Sequence, residues 1–294
     1  MRVGFFGDGA WAVKTLDRLV KLPDVQIVFV CPRHQSPDAA LQAAATEHGL
    51  TLVDFADVNN QVAIEELATY GCDLFISMSF DQIMRRRMFD LPRLGTINCH
   101  AGMLPFYRGR SVLNWALIND EKALGITVHF IDDGIDTGDI ILQRHLEISD
   151  EDDYASLLER GSDACASALA DAVVQLECGT LEPTPQASID PFGSYFTRRV
   201  PGDERIDWQS TSREVFNLVR AVAPPGPGAV ARIGQEEWRI FEVSVPETCR
   251  PWGMICGAVI PSGTDILRVK TQDTYVDVRN WSGPRRPHPG ERFS

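Results

Sequence analysis

No stretch of about 18 consecutive apolar residues occurs in this 294-residue chain, so no helix is expected to span a membrane. The seven cysteines are scattered and show no Cys-x-x-Cys spacing. That argues against a disulfide framework and for reduced, mostly buried thiols in a cytoplasmic protein. The six histidines lack metal-ligand spacing, so no metal is expected. Internal repeats, coiled-coil heptads and low-complexity tracts are also missing. The chain enters directly on Arg2-Val3-Gly4-Phe5-Phe6, which reads as a first strand rather than a signal peptide. A run of basic residues is absent too. Arg85-Arg86-Arg87 and Arg285-Arg286 are tight clusters, and both read equally well as solvated surface. Residues 1–190 hold 14 Lys+Arg against 29 Asp+Glu, a net −15, while residues 191–294 hold 14 against 12, a net +2. Nucleic-acid binding rests on a positive footprint for phosphates, so this balance argues against a nucleic-acid partner.

What is present suits one large or two ordinary domains: 44% hydrophobic and 23% charged residues. Strand-like runs at 2–7, 25–31, 50–54, 73–77 and 95–99 alternate with helical stretches at 11–21, 37–47 and 61–69. This alternation predicts an α/β fold, a Rossmann-like, mostly parallel sheet with helices on both faces. Residues 125–131 continue the sheet and 140–146 offer a return strand. A long helix follows from Asp150 to about Glu177, with Gly179 as its stop. Residues 181–202, rich in Pro, Gly and Ser, read as a linker between a domain at 1–180 and one at 203–294. The second domain opens on a helix at 212–223. Short strands follow at 228–233, 237–245, 257–260, 266–270 and 274–280, a pattern that fits a small barrel.

Two short regions carry the chemistry. In the strand Thr96-Ile97-Asn98-Cys99-His100, alternation puts Asn98 and His100 on one face and turns Ile97 and Cys99 away. Asp136 arrives from a later turn rich in glycine and acid. An asparagine can donate to an oxyanion and a histidine can take a proton from an amine. An aspartate can hold that imidazole and raise its basicity. Cys99 faces away, so a thiol nucleophile is not expected. Gly7-Asp8-Gly9 follows a strand and precedes a helix, but it lacks the third glycine of a dinucleotide loop and is explained by a tight turn. His129 shares the alternation of Thr127 and Ile131, and its pattern fits a structural role somewhat better than a supporting one at the site.

The run Asn98-Cys99-His100-Ala101-Gly102-Met103-Leu104-Pro105-Phe106-Tyr107-Arg108-Gly109 resembles the core motif of the folate-dependent formyltransferases. Gly125-Ile126-Thr127-Val128-His129-Phe130 and Asp136-Thr137-Gly138-Asp139-Ile140-Ile141 resemble the strand and turn leading to that family's catalytic Asp. Arg205-Ile206-Asp207-Trp208, Asn217-Leu218-Val219-Arg220-Ala221 and Pro227-Gly228-Ala229 resemble the start of its C-terminal domain. The resemblance implies an OB-like barrel at the C-terminus and a catalytic set of Asn98, His100 and Asp136. It implies 10-formyltetrahydrofolate as formyl donor, with Phe80, Gln82 and Ile83 in its pocket and Asp132 and Asp133 at the border. It also implies that Gly9, Trp11, Tyr107 and Arg108 border the amine acceptor, although Trp11 reads equally as a packed aromatic. Arg198 and Arg199 could meet a diphosphate or be a solvated pair. One departure stands out: the family usually has Ser where this chain has Gly102.

The implied reaction is attack of an acceptor amine on the formyl carbon, with Asn98 and protonated His100 stabilising the oxyanion and Asp136 holding the ring. For the acceptor, the acidic charge favours a small molecule: a nucleotide-linked 4-amino-sugar for surface polysaccharide, O-antigen or modified lipid A. Tyr107-Arg108-Gly109-Arg110-Ser111-Val112-Leu113-Asn114-Trp115 also resembles the aminoarabinose-modifying enzyme more than the tRNA enzyme. The alternative is methionyl-tRNA. A more distant one is a non-catalytic folate or nucleotide sensor, against which the intact Asn–His–Asp set argues. The barrel leaves a homodimer open.

Overall fold

The computed structural model describes residues 1–246, 250–262 and 266–294. They form two compact units. One comprises Met1–Gly109, Leu124–Leu146 and Glu159–Phe196; the other comprises Arg110–Ala123, Glu147–Leu158 and Thr197–Ser294.

The first unit is built on a six-stranded sheet. In chain order its strands are β1 (Arg2–Gly7), β2 (Gln26–Cys31), β3 (Leu74–Met78), β4 (Thr96–His100), β6 (Ala123–Phe130) and β7 (Ile140–Glu147). Their spatial order is β2-β1-β3-β4-β6-β7. β1 runs parallel to β2 and β3, and β3 parallel to β4. Every residue of β3 is buried, the near-continuous apolar pattern of a strand covered on both faces. Phe6, Phe29 and Phe75 meet edge-on with ring centroids 5.1–5.7 Å apart, and they anchor a cluster with Val58, Leu67 and Met88. The connecting helices α1 (Gly9–Leu19), α2 (Ala39–Glu47) and α3 (Gln61–Thr69) each present an apolar stripe. Asp38 and Asn60 cap α2 and α3 by accepting from Leu41 N and Ala63 N. A short α4 (Arg86–Phe89) precedes β4.

The sheet expected from sequence differs in two respects. β6 pairs with β4 antiparallel, with Asn98 opposite His129 and His100 opposite Thr127. Residues directly opposite in an antiparallel pair share a face, so His129 joins the face of Asn98. The run at 50–54 shrinks to a single bridge, Val30 to Leu52.

Residues 180–202 are tied down rather than loose. Thr184 exchanges two backbone hydrogen bonds with Ile140, each 2.8 Å. A 3-10 turn spans Gln186–Ser188, and β8 (Tyr195–Phe196) pairs with β5 (Arg108–Gly109). The long helix α6 runs Tyr154–Cys178 and ends at Gly179, whose φ of +63° is the left-handed stop that glycine accepts without strain.

In the second unit the strands are β9 (Ala229–Ile233), β10 (Glu236–Ser244), β11 (Val259–Ile260), β12 (Leu267–Lys270) and β13 (Tyr275–Ser282). They form an antiparallel sheet in the order β11-β12-β13-β10-β9. Trp208, Trp238 and Phe293 form the aromatic centre of its core. Helix α7 (Ser212–Val222) begins with a capping box, Thr211 and Glu214 each satisfying the other's backbone N–H. It packs on β10 and on α5 (Val112–Ile118), and Asn114 Nδ2 donates to Ala221 O at 2.6 Å. Two segments that precede residue 200 in sequence therefore belong to this unit. Among the described residues no helix is long and apolar enough to cross a membrane, and no group of His, Cys, Asp or Glu could hold a metal.

Candidate active site

β4 ends the parallel run of the sheet, and its last residues form the site. Pleating places Asn98 and His100 side by side, while Cys99 is buried on the other face beside Cys165. Asp136 comes from the turn after β6. Asp132 organises this turn: its Oδ1 accepts from Gly134 N at 3.1 Å and from Thr137 Oγ1 at 2.6 Å. Asp136 itself has φ +54°, in the left-handed region that Asp tolerates better than most residues. A side chain at Gly138 would overlap the Phe130 carbonyl, so the turn can close on β6 only with glycine there.

The hydrogen bonds assign the ring tautomers. His100 Nε2 lies 2.6 Å from Tyr107 O; a carbonyl only accepts, so Nε2 carries the proton. Nδ1 of His100 then faces Asp136 Oδ2 at 3.6 Å. His129 Nδ1 donates to Phe130 O at 2.7 Å, which leaves Nε2 to accept from Asn98 Nδ2 at 3.2 Å. That Nε2 lies 3.6 Å from Asp136 Oδ1. One carboxylate is thus flanked by two imidazoles. Burial of the His129 ring pushes its pKa below the usual histidine value, with Asp136 pulling the other way. The amide of Asn98 keeps a second N–H for a ligand, since only one hydrogen goes to His129. Gly109 N donates to Asp136 Oδ2 at 2.9 Å and fixes the carboxylate. This arrangement can offer a neutral donor to a developing negative oxygen and a proton relay beside it.

The other expected site residues fall into three groups. Phe80 packs edge-on against Phe6 at 5.5 Å and joins the apolar cluster beneath the loop after β3. Gln82 bridges backbone: its Oε1 accepts from Val58 N and its Nε2 donates to Phe55 O, both at 2.9 Å. Ile83 is 65% exposed, an apolar side chain left open on that loop. Because Ser77 pairs with Asn98, the loop sits at the same sheet end as the site, where parallel α/β sheets bind ligands. The residues present therefore fit a partly apolar ring system there. Asp133 is exposed and pairs with Arg86. Gly9 opens α1 with φ +70°, and Trp11 is half-buried in its first turn. Tyr107, also left-handed (φ +59°), stacks flat on Phe196 at 4.4 Å.

Arg108 is turned inward. It is 6% exposed and donates to Gln186 Oε1, Phe192 O and Tyr195 OH. Arg199 is half-buried, and desolvation lowers its pKa; Arg198 is exposed. Sequence reasoning passed over Gln186 and undervalued His129. The signal for His129 was its own alternation with Thr127, had β6 been read as antiparallel to β4. Nothing in the composition around Gln186 marks it.

A strand carrying Asn98 and His100, with Asp136 delivered by the turn after β6, has the groups that a transfer at a polar carbonyl carbon needs. Residues 1–173 match the family described as formyl transferase, and residues 200–287 match the formyl transferase C-terminal domain. The methionyl-tRNA formyltransferase of Ruminiclostridium cellulolyticum is 30% identical over 288 residues, covering 95% of this chain and 91% of that protein. That of Citrifermentans bemidjiense is 32% identical over 250 residues, covering 83% and 78%. Among solved structures, the N-formyltransferase from Helicobacter canadensis, in complex with folinic acid and dTDP-3-aminofucose, superposes with TM-score 0.71 at 20% identity, covering 95% and 99% of the two chains. The chain belongs to the formyl transferase family. It is a 10-formyltetrahydrofolate-dependent formyltransferase with the mixed α/β fold of that family.

The acceptor expected from sequence needs correction. Six relatives at 29–32% identity, most of them matched over nearly the whole chain, are methionyl-tRNA formyltransferases. The sugar N-formyltransferases resemble this chain at the level of fold. The expected nucleotide-linked amino-sugar, and the expected lack of a nucleic-acid partner, are both overturned by these relatives. The charge argument failed because net charge describes a whole domain, whereas phosphate contacts depend on local clusters.

Proposed function

We propose that this enzyme transfers the formyl group of 10-formyltetrahydrofolate to the amino group of methionyl-tRNA. The observation that carries the reading is the match to methionyl-tRNA formyltransferases through both the catalytic and the C-terminal domain. That acceptor agrees with the cytoplasmic location expected from the cysteines.

Asn98, His100 and Asp136 do the chemistry in this reading. The acceptor amine attacks the formyl carbon, and the carbonyl π pair moves to oxygen. The second N–H of Asn98 donates to that oxygen as its charge develops. The ammonium proton leaves toward the His100–Asp136 pair through Nδ1, directly or through one water, because Nε2 is occupied by Tyr107 O. When the C–N bond to the folate breaks, the pair returns the proton to the leaving nitrogen. Asp136 stabilises the imidazolium between these steps. His129, kept neutral by burial, holds Asn98 by accepting one of its hydrogens. Phe80 and Ile83 would line the donor's ring system, and Gln82 would hold the loop that presents them.

The test is a formyl-transfer assay with purified protein, 10-formyltetrahydrofolate and, separately, methionyl-tRNA and nucleotide-linked amino-sugars. Formyl-methionyl-tRNA, detected by mass, is the expected product. Formylation of a sugar nucleotide with none of the tRNA would sink the acceptor reading and leave the enzyme class untouched.

A further inference from the structure

We infer that Gln186 is a positioning residue for formyl transfer: it holds the Asp136 turn at the place where the carboxylate meets His100. The inference rests on the assignment of Asn98, His100 and Asp136 as the reacting set.

Gln186 is 2% exposed, in a stretch whose composition reads as a linker. Its Nε2 donates to Asp136 O at 2.9 Å and to Gly138 O at 2.8 Å. Its Oε1 accepts from Arg108 Nε at 3.1 Å and Nη2 at 2.8 Å. A guanidinium only donates and a carbonyl only accepts, so this amide has one orientation and all four bonds depend on it. Asp136 needs such support because a non-glycine residue at positive φ does not hold that conformation unaided.

The segment of Arg108 also reaches Asp136. Gly109, the residue after Arg108, donates its N–H to Asp136 Oδ2. The backbone of the turn is thus fixed by Gln186, and its carboxylate by the neighbour of the arginine that orients Gln186. The result is Oδ2 aimed at His100 and Oδ1 at His129, each at 3.6 Å. Arg108 satisfies its charge inside this arrangement, including the face of Tyr195 at 5.2 Å, so its part is to orient Gln186 and not to meet the acceptor. Displacement of a reacting group by about 1 Å costs on the order of 100-fold in rate.

Two variants test this. Gln186→Ala removes the clamp. Gln186→Glu keeps the shape and the Arg108 pair but puts an oxygen where two carbonyls need a donor. For each, kcat and KM for 10-formyltetrahydrofolate are measured with methionyl-tRNA across pH, with thermal melting as the folding control. The NMR shifts of the His100 ring nitrogens at one fixed pH add a readout that needs no acceptor. The expected result is a fall in kcat of about 10- to 100-fold with KM for the donor changed less than about threefold. In Gln186→Ala those ring shifts move as the carboxylate recedes from Nδ1. A folded Gln186→Glu protein with kcat within twofold of wild type, or unmoved His100 ring shifts in folded Gln186→Ala, would overturn the inference. If wild type makes no formyl-methionyl-tRNA, the acceptor reading is the one that fails, and the NMR shifts still decide the clamp.

Discussion

Two aspartates in this chain share an uncommon backbone and have opposite surroundings. Asp120 and Asp136 both sit at positive φ, +58° and +54°. Asp120, in the second unit, is surrounded by cations: Arg213, Arg220 and Lys122 all reach its Oδ1 within 3.4 Å. The Arg213 hydrogen bond holds its pKa at about 2. Asp136, in the first unit, makes no ion pair with an arginine or lysine among the described residues. It is held by a backbone N–H and faces two imidazoles. A carboxylate neutralised by permanent cations ties segments together and does little else. One steadied by neutral donors keeps its charge for a ring that can gain and lose a proton.

The sharpest way to break the comparison is to neutralise each carboxylate in turn. Asp136→Asn should lower kcat by about 10²–10⁴-fold, the range of general acid–base and electrostatic contributions, with little change in melting. Single-turnover formyl transfer measures this, and a rate near wild type would remove Asp136 from the mechanism. A smaller effect is expected at Gly102. A Cβ built there would lie 2.6 Å from His100 Nε2 and 2.7 Å from Tyr107 O, so the bond between them could not survive unchanged. Gly102→Ala should cost about 10- to 100-fold in kcat by displacing the ring. Unaltered kinetics would show that the His100–Tyr107 bond is dispensable.

The smallest effect is expected at Asp120. Asp120→Asn should leave kcat within about twofold while weakening the second unit by no more than about 1 kcal/mol, since the pair is partly exposed. The sign of its pH dependence follows from the lowered pKa. The contribution is fully present above the ordinary value of 3.8 and is lost as pH falls toward about 2. Melting of wild type and Asp120→Asn from pH 6 to pH 2 should therefore converge at the acid end, and parallel curves would assign the difference to something else.

How much of this was legible in the sequence depended on how each residue is held. The buried strands β1 and β3 were plain as apolar runs, and helix α3 coincides with the helical stretch expected at 61–69. Asn98 and His100 followed from strand alternation. The direction of β6 did not, since an apolar strand reads the same either way, and with it went His129. Gln186 escaped, and Arg108 was expected at the acceptor and not at Gln186, for another reason. Their work is hydrogen bonding to backbone and to each other, which has no periodicity and sits among turn-forming residues. The acceptor was misread because whole-domain charge stood in for local contacts.

The antiparallel pairing of β4 with β6 has a further consequence. Asn98 and His129 are opposite partners, and His100 shares their face. A slip of β4 against β6 by one residue would turn its side chains to the other face and put Cys99 where the chemistry belongs. The backbone ladder therefore acts as a jig for the reaction. Neighbouring loops can drift in sequence and reshape what the enzyme accepts, while the register itself is either kept or lost, since a strand cannot slip by half a residue.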